Sequence, residues 1–318
     1  MYNKVLLKKY GVLFSFILIF IIFAFAFNDF TRIDNLLNIL RQCSVLTIVG
    51  IGLVIVMIAG EIDLSFTSSI PLASAIFVNL YNNNSSIFIA MLLSLLVLII
   101  VGIINAYLVE GIGLSSFIAT LSVSFFLTGV NYAVFGAKSY WLKDDLMQNT
   151  FQGNFLFIPK FGWILIIISL LSYFIINYTK HGKYIRASGE NPYTTVANGI
   201  NAKYYRGLAF IEANLFYFVA TMLQVARLSG ALGPAAGGNI MLPVMAIAFL
   251  GQTFFKIGKP NIVGVVLSGL FLSMVNNALT LAEVKFYYVP MVQGLILIVA
   301  IVLSSSAGKR ELTQIKFG

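Results

Sequence analysis

Ionisable side chains are scarce. Asp, Glu, Lys and Arg together make up 10% of the 318 residues, against about 25% in soluble domains. Apolar residues fill 59% of the chain, and the mean hydropathy is +0.95. A water-soluble globular domain is thereby excluded, and a polytopic membrane protein is expected. Cys43 is the one cysteine, which excludes an internal disulfide framework. With His181 as the one histidine, a Cys/His zinc cluster is excluded too. His181 lies in a basic loop, which argues against an intramembrane Ser–His dyad. The Gly-Lys pairs at Gly182, Gly258 and Gly308 lack the upstream glycine and the following Ser or Thr of a phosphate-binding loop. No nucleotide hydrolysis is therefore expected from this chain alone. Asp144-Asp145 is an isolated acidic pair, without the acidic repeat that prenyl transfer needs.

Apolar runs long enough for spans predict an all-α membrane domain of about ten helices, with room for broken or re-entrant ones. The runs are Val12–Phe27, Cys43–Ala59, Phe66–Tyr81, Ile87–Val109, Leu114–Phe135, Phe161–Tyr178, Tyr204–Val225, Ile240–Phe255, Ile262–Ala282 and Tyr287–Ser304. Ala24-Phe25-Ala26 resembles a signal-peptidase site, but the first run is read as a retained span. Ten spans place both termini on one side. Of the 20 Lys and Arg residues, 13 then fall on the terminus side, so both termini are expected in the cytoplasm. The net charge of +9 is largely explained by this asymmetry and needs no nucleic acid. No linker or soluble domain interrupts residues 1–318, so one membrane domain is expected. Glycine-rich breaks after the second run and around the eighth leave room for an inverted repeat of two five-span halves.

The most polar stretch is Ile185–Asn201, inside a loop at about 180–203. Lys180, Lys183, Arg186, Lys203 and Arg206 flank it and mark it as cytoplasmic. Asn191 suits an N-cap, Pro192 the first helical position and Gly199 a left-handed C-terminal cap. Between them Tyr193, Val196, Ala197 and Ile200 form one apolar stripe. A helix of about two turns is unstable alone in water. It must dock, on its own protein or on a partner, or lie along the membrane surface.

Polar residues at membrane depth are the other candidates. Gly60–Ser65 separates two runs of about 25 Å each, slightly short of a bilayer core. A broken pair of helices is expected there, with Asp63 near Ser65, Thr67, Ser68 and Ser69. The alternative is a plain turn in which Asp63 caps the next helix. Glu212 is expected near the interface, paired with Arg206 or Lys203. Asn276 and Asn277 either line a polar path or bond neighbouring helices, and Asn105 is expected to join helices.

Several ordered stretches now carry a resemblance. Gly60-Glu61-Ile62-Asp63-Leu64-Ser65, Gly102…Asn105-Ala106-Tyr107-Leu108-Val109, Phe117-Ile118-Ala119-Thr120-Leu121, Ala187-Ser188-Gly189-Glu190-Asn191 with Ala197-Asn198-Gly199-Ile200, Phe249-Leu250-Gly251 and Asn276-Asn277-Ala278-Leu279 follow in register over roughly residues 40–300. They resemble the membrane permeases of ATP-binding-cassette importers of the ribose, galactose and autoinducer-2 type. Glu61, Ala106 and Ala278 stand where that family has glycines, and Ser115-Ser116 where it has prolines. The resemblance implies a monosaccharide importer subunit of the bacterial cytoplasmic membrane. It implies three partners: a second permease chain (as a homodimer or a pseudo-symmetric pair), a cytoplasmic ATPase that binds the ATP, and an extracytoplasmic sugar-binding protein. Gly189, Glu190, Asn191, Pro192, Tyr193, Val196, Ala197 and Gly199 would then couple to the ATPase. A transport path would run near Asp63, Ser65, Ser69, Asn276 and Asn277. No catalytic residue, metal or cofactor is expected in this chain. Import of nucleosides or branched-chain amino acids, and a stand-alone secondary transporter, are the competing readings.

Overall fold

A computed structural model describes residue 14 and residues 16–137, 140–255 and 258–315. Lys4, Lys8, Lys9, Lys138, Lys256 and Lys316 of the charge count, and the start of the first apolar run, lie outside these. The described chain is helical almost throughout. Its helices are α1 (Phe16–Ala26), α2 (Ile33–Ile58), α3 (Phe66–Asn82), α4 (Ile87–Ala106), α5 (Ser116–Phe135), α6 (Leu146–Phe151), α7 (Lys160–Tyr178), α8 (Lys180–Glu190), α9 (Pro192–Ala197), α10 (Ala202–Leu228), α11 (Gly237–Gly251), α12 (Ile262–Leu281) and α13 (Val289–Ile315). One two-stranded hairpin, Asn154–Phe155 with Ile158–Pro159, precedes α7. Eight of the described helices are long and apolar enough to cross a membrane; α1 is shorter, and α3 has 17 residues.

Local chemistry sets the helix starts. Ser86, Thr179, Asn191, Asn201 and Asn261 each accept a bond from a backbone N–H three residues on, opening α4, α8, α9, α10 and α12. Boundaries differ from expectation in places: the last helix runs on to Ile315, and α11 spans Gly237–Gly251 rather than Ile240–Phe255. The second span is not a short run but a 26-residue helix, about 39 Å long at 1.5 Å per residue. Its polar first turns, with Asp34 and Asn35, lie ahead of the apolar run Cys43–Ala59 that marks this span in the sequence. Asp34 favours the helix N-terminus by its charge, and Asn35 finds partners on α12 and in the preceding turn.

The core is built on α2 and α10. From Cys43 to Ile58, α2 is buried on nearly every face, as an apolar helix at the centre of a bundle must be. The two run antiparallel. Arg206, at the start of α10, meets Glu61 beyond the end of α2, and Gly52 in α2 packs on Ala213 and Tyr217 of α10. Each central helix also packs on the other's followers: α2 against α11 and α12, α10 against α3 and α4. In turn α3 lies on α5 as α11 lies on α13. Both α3 and α11 are short, follow a break in the α-helical chain and hold an interior proline, Pro71 and Pro243. This is the layout of an inverted repeat, α2–α5 against α10–α13.

Both breaks reach into the bundle. Residues 229–236 run back along α3: the Leu232 N–H donates to Ser74 Oγ at 3.0 Å, and Gly237 rests against the Thr67 carbonyl, where a Cβ would come within 1.7 Å. Irregular backbone at such depth is stable only inside protein or beside a cavity.

Candidate functional site

Two polar regions stand out, an arm on the surface and a knot in the interior. The arm is α8 followed by α9. Ile185 and Ser188 of α8 face inward, with Gly182. Gly189 sits on the end of α2, where a Cβ would stand 2.2 Å from the Ile58 carbonyl oxygen. Opposite it, Gly60 takes a left-handed φ of 86°, so both glycines are needed for this contact. The arm is tied at further points. His181 bonds to Glu212 of α10, Arg186 donates to Asn177 Oδ1 at 3.1 Å, and Lys259, in the α11–α12 loop, meets Glu190 at 3.3 Å.

The expected short helix is present with its expected ends. Asn191 Oδ1 accepts from the Thr194 N–H at 3.0 Å, Pro192 opens α9, and Gly199 is left-handed at φ 78°. Its apolar stripe points away from the protein. Tyr193 is 89% exposed and Val196 59%, Ala197 is exposed and Ile200 half-buried. The inward side of α9 is held by Thr195, 4% exposed, which donates to the Asn191 carbonyl. The polar loop therefore holds two helices; Thr179, the cap of α8, was the available signal for the first. Glu212 pairs with His181, not with Lys203 or Arg206. At 100° per residue, positions six and nine apart lie on distant faces of one helix. Arg206 instead meets Glu61 and, at 3.1 Å, Glu110, a link between three elements with no local sequence signal.

The knot surrounds the break before α3. Asp63 Oδ1 accepts from the Ser65 N–H at 2.8 Å and from Ser65 Oγ at 2.6 Å. Asn105 of α4 donates to Ser65 Oγ at 2.8 Å and to Asp63 Oδ1 at 3.4 Å. From α5, Ser116 Oγ accepts the Ile62 N–H and Thr120 Oγ1 the Leu64 N–H. Hydroxyls of Thr67, Ser68, Ser124 and Thr128 continue the seam between α3 and α5. Side chains thus replace the helix hydrogen bonds that the break gives up. Asp63, Ser65 and Ser69 are fully buried in one chain.

Asn276 and Asn277 lie elsewhere. Asn277 and Asn35 exchange two amide bonds of 2.8 and 2.9 Å, and Gln293 of α13 donates to Asn276 Oδ1 at 3.3 Å. Asn35 is in the first turn of α2 and Asp63 beyond its last, so the two polar groups are about 35 Å apart at 1.5 Å per residue. Asn277 is buried and Asn276 is half-buried. Among the described residues no group of three His, Cys, Asp or Glu could hold a metal.

Known proteins are similar to this chain over most of its length. A ribose import permease protein of Haemophilus influenzae (strain Rd) is 30% identical over 288 residues, covering 89% of each chain. The ribose import permease protein of Escherichia coli K12 is 30% identical over 304 residues, 94% of each chain. A D-allose transport system permease protein of the same strain is 30% identical over 303 residues, 95% of this chain and 93% of that one. No solved structure matches. The model of the branched-chain amino acid transport system permease component matches residues 35–301. That match covers most of the sequence, including both breaks, the arm and the two central helices, and the chain belongs to this permease family.

Proposed function

We propose that this chain is the permease subunit of an ATP-driven importer of a monosaccharide, ribose or a related sugar, in the bacterial cytoplasmic membrane. It spans the membrane ten times with both termini inside and works as a homodimer. An extracytoplasmic binding protein delivers the sugar, and a cytoplasmic ATPase supplies the energy. The observation that carries the reading is the outward apolar stripe of α9. Tyr193, Val196 and Ala197 are exposed, with no partner surface among the described residues, yet so short a helix is fully formed. A cleft in the ATPase is the surface it fits.

Gly189, Glu190, Asn191, Pro192 and Gly199 shape and orient this stripe. The anchors at Glu212, Asn177, Lys259 and the end of α2 would pass its movement to α2, α7, α10 and the α11–α12 loop. The path for sugar passes the Asn276–Asn277 end and the Asp63 end of α2. Amide groups there suit hydroxyl-rich cargo, since each both donates and accepts. Asp63, Ser65 and Ser69 support the path from inside by fixing the start of α3.

Uptake of labelled ribose, allose, galactose, nucleosides and branched-chain amino acids into proteoliposomes tests the proposal. ATP-dependent uptake of one sugar, only with permease, ATPase and binding protein together, is the expected result. Uptake by the chain alone under an ion gradient would overturn it. Uptake of a nucleoside or amino acid in place of a sugar would overturn the cargo.

A further inference from the structure

The buried knot holds more acceptor atoms than its hydrogen bonds use. Ser69 Oγ, Asn105 Oδ1 and Asn214 Oδ1 are buried and make no hydrogen bond, and the carboxylate of Asp63 has the Tyr217 hydroxyl as its one partner from α10. They come from three elements that meet at one place. Asn105 is bonded to Asp63 and Ser65. Ser69 is one turn beyond Ser65 on α3. Asn214 of α10 packs against Gly102, one turn before Asn105 on α4. Tyr217 is one turn beyond Asn214, and its hydroxyl faces Asp63, as expected for a helical side chain leaning towards its N-terminus.

The knot also holds a carboxylate without a cation. Among the described residues no Lys, Arg or His contacts Asp63. Arg206 lies two turns nearer the start of α10 and is engaged by Glu61 and Glu110. A buried carboxylate in an apolar bundle must be neutralised. A water molecule would satisfy lone pairs but leave the charge. One carboxylate with amide and hydroxyl oxygens matches a hard monovalent cation; a calcium ion would ask for more carboxylates, and softer metals for nitrogen or sulfur.

The geometry points to a sodium-ion site in each permease chain, held by Asp63 Oδ2, Asn105, Asn214 and the hydroxyls of Ser65, Ser69 and Tyr217. The ion would lock the break before α3 to α4 and α10. It is a structural ion of the bundle, independent of which cargo is carried, so its test does not depend on transport.

Full-length protein in detergent is melted in NaCl, KCl and choline chloride at equal ionic strength, and binding of radioactive sodium is measured at equilibrium. The expected result is saturable sodium binding near one per chain, with a melting temperature higher by about 4 °C at saturation in sodium alone. Asp63→Asn should lose both effects. Should that variant fail to fold, Asn214→Ala removes one neutral ligand and should raise the sodium needed for half effect about tenfold. Equal melting in all three salts with no saturable binding overturns the site; that outcome assigns the neutralising role to a proton on Asp63. Equal stabilisation by sodium and potassium overturns the selectivity.

Discussion

The knot at Asp63 and the arm at α9 are opposite departures from their surroundings. In the knot, polar atoms sit inside an apolar bundle. In the arm, apolar side chains face outward from the most polar loop of the chain. Each is costly taken alone. Buried acceptors without partners lose their hydration, and an exposed apolar stripe gains nothing from folding. Departures of this kind gather at functional positions, where local rules give way to a task. The difference between the two lies in where the missing partner is. On the two proposals above, the knot's partner is an ion or proton within the chain and the arm's is a surface on another chain. Damage to the knot should therefore appear as lost stability, and damage to the arm as lost assembly with stability kept.

Asp63→Ala should have the largest effect. It removes the acceptor of the Ser65 N–H and hydroxyl and of Asn105, and each buried donor left without a partner costs about 1–3 kcal/mol. A melting temperature lower by several degrees and weak transport are expected. The ATPase should still co-purify with whatever folds. Loss of co-purification by folded Asp63→Ala protein would break the division between the two regions.

Gly189→Val comes next and tests the joint between arm and bundle. Its Cβ would meet the end of α2 at 2.2 Å, and backbone cannot yield as a side-chain tip can. The arm should lift from α2, with ATPase binding lost and a smaller fall in melting temperature than in Asp63→Ala. A smaller step is Gly199→Val, which forces a β-branched residue into a left-handed position and costs about 1–2 kcal/mol locally. It should fray α9 and weaken ATPase docking, with the bundle's melting unchanged. Tyr193→Ser removes contact area without touching the fold. Its melting curve should match the wild type while ATPase affinity falls about tenfold, the scale of one aromatic anchor. A lowered melting temperature would place Tyr193 in the fold rather than at the interface.

The two regions differ in how far the sequence announced them. The helix α9 was legible to the residue because its ends are local chemistry: Asn191 before Pro192, Gly199 after the last turn. The break before α3 was legible in position but not in content. Glycine and polar residues between apolar runs mark a break, whereas the partners of Asp63 on α4 and α10 lie 42 residues or more away and follow no local pattern. The same limit applies to Glu212, whose partner His181 comes from another helix. The length of α2 was hidden for a different reason. Its polar first turns are satisfied by α12 and by the preceding turn, so tertiary partners override the local reading.

Glu190→Gln is the smallest expected change and the sharpest test of how the arm communicates. Glu190 and Lys259 are about half exposed, at 56% and 52% of their side-chain surface, and an exposed ion pair contributes about 0–1 kcal/mol, less at high salt. Melting temperature and ATPase affinity should both stay close to wild type. Yet this pair is the arm's tie to the α11–α12 loop, and so to the second half of the inverted repeat. If movement of α9 passes only through the close contact at Gly189 and the His181–Glu212 bond, ATP-driven uptake by Glu190→Gln will match the wild type. Normal docking with impaired uptake would instead make the Glu190–Lys259 pair a link in transmission, and raising the salt should then impair the wild type in the same way.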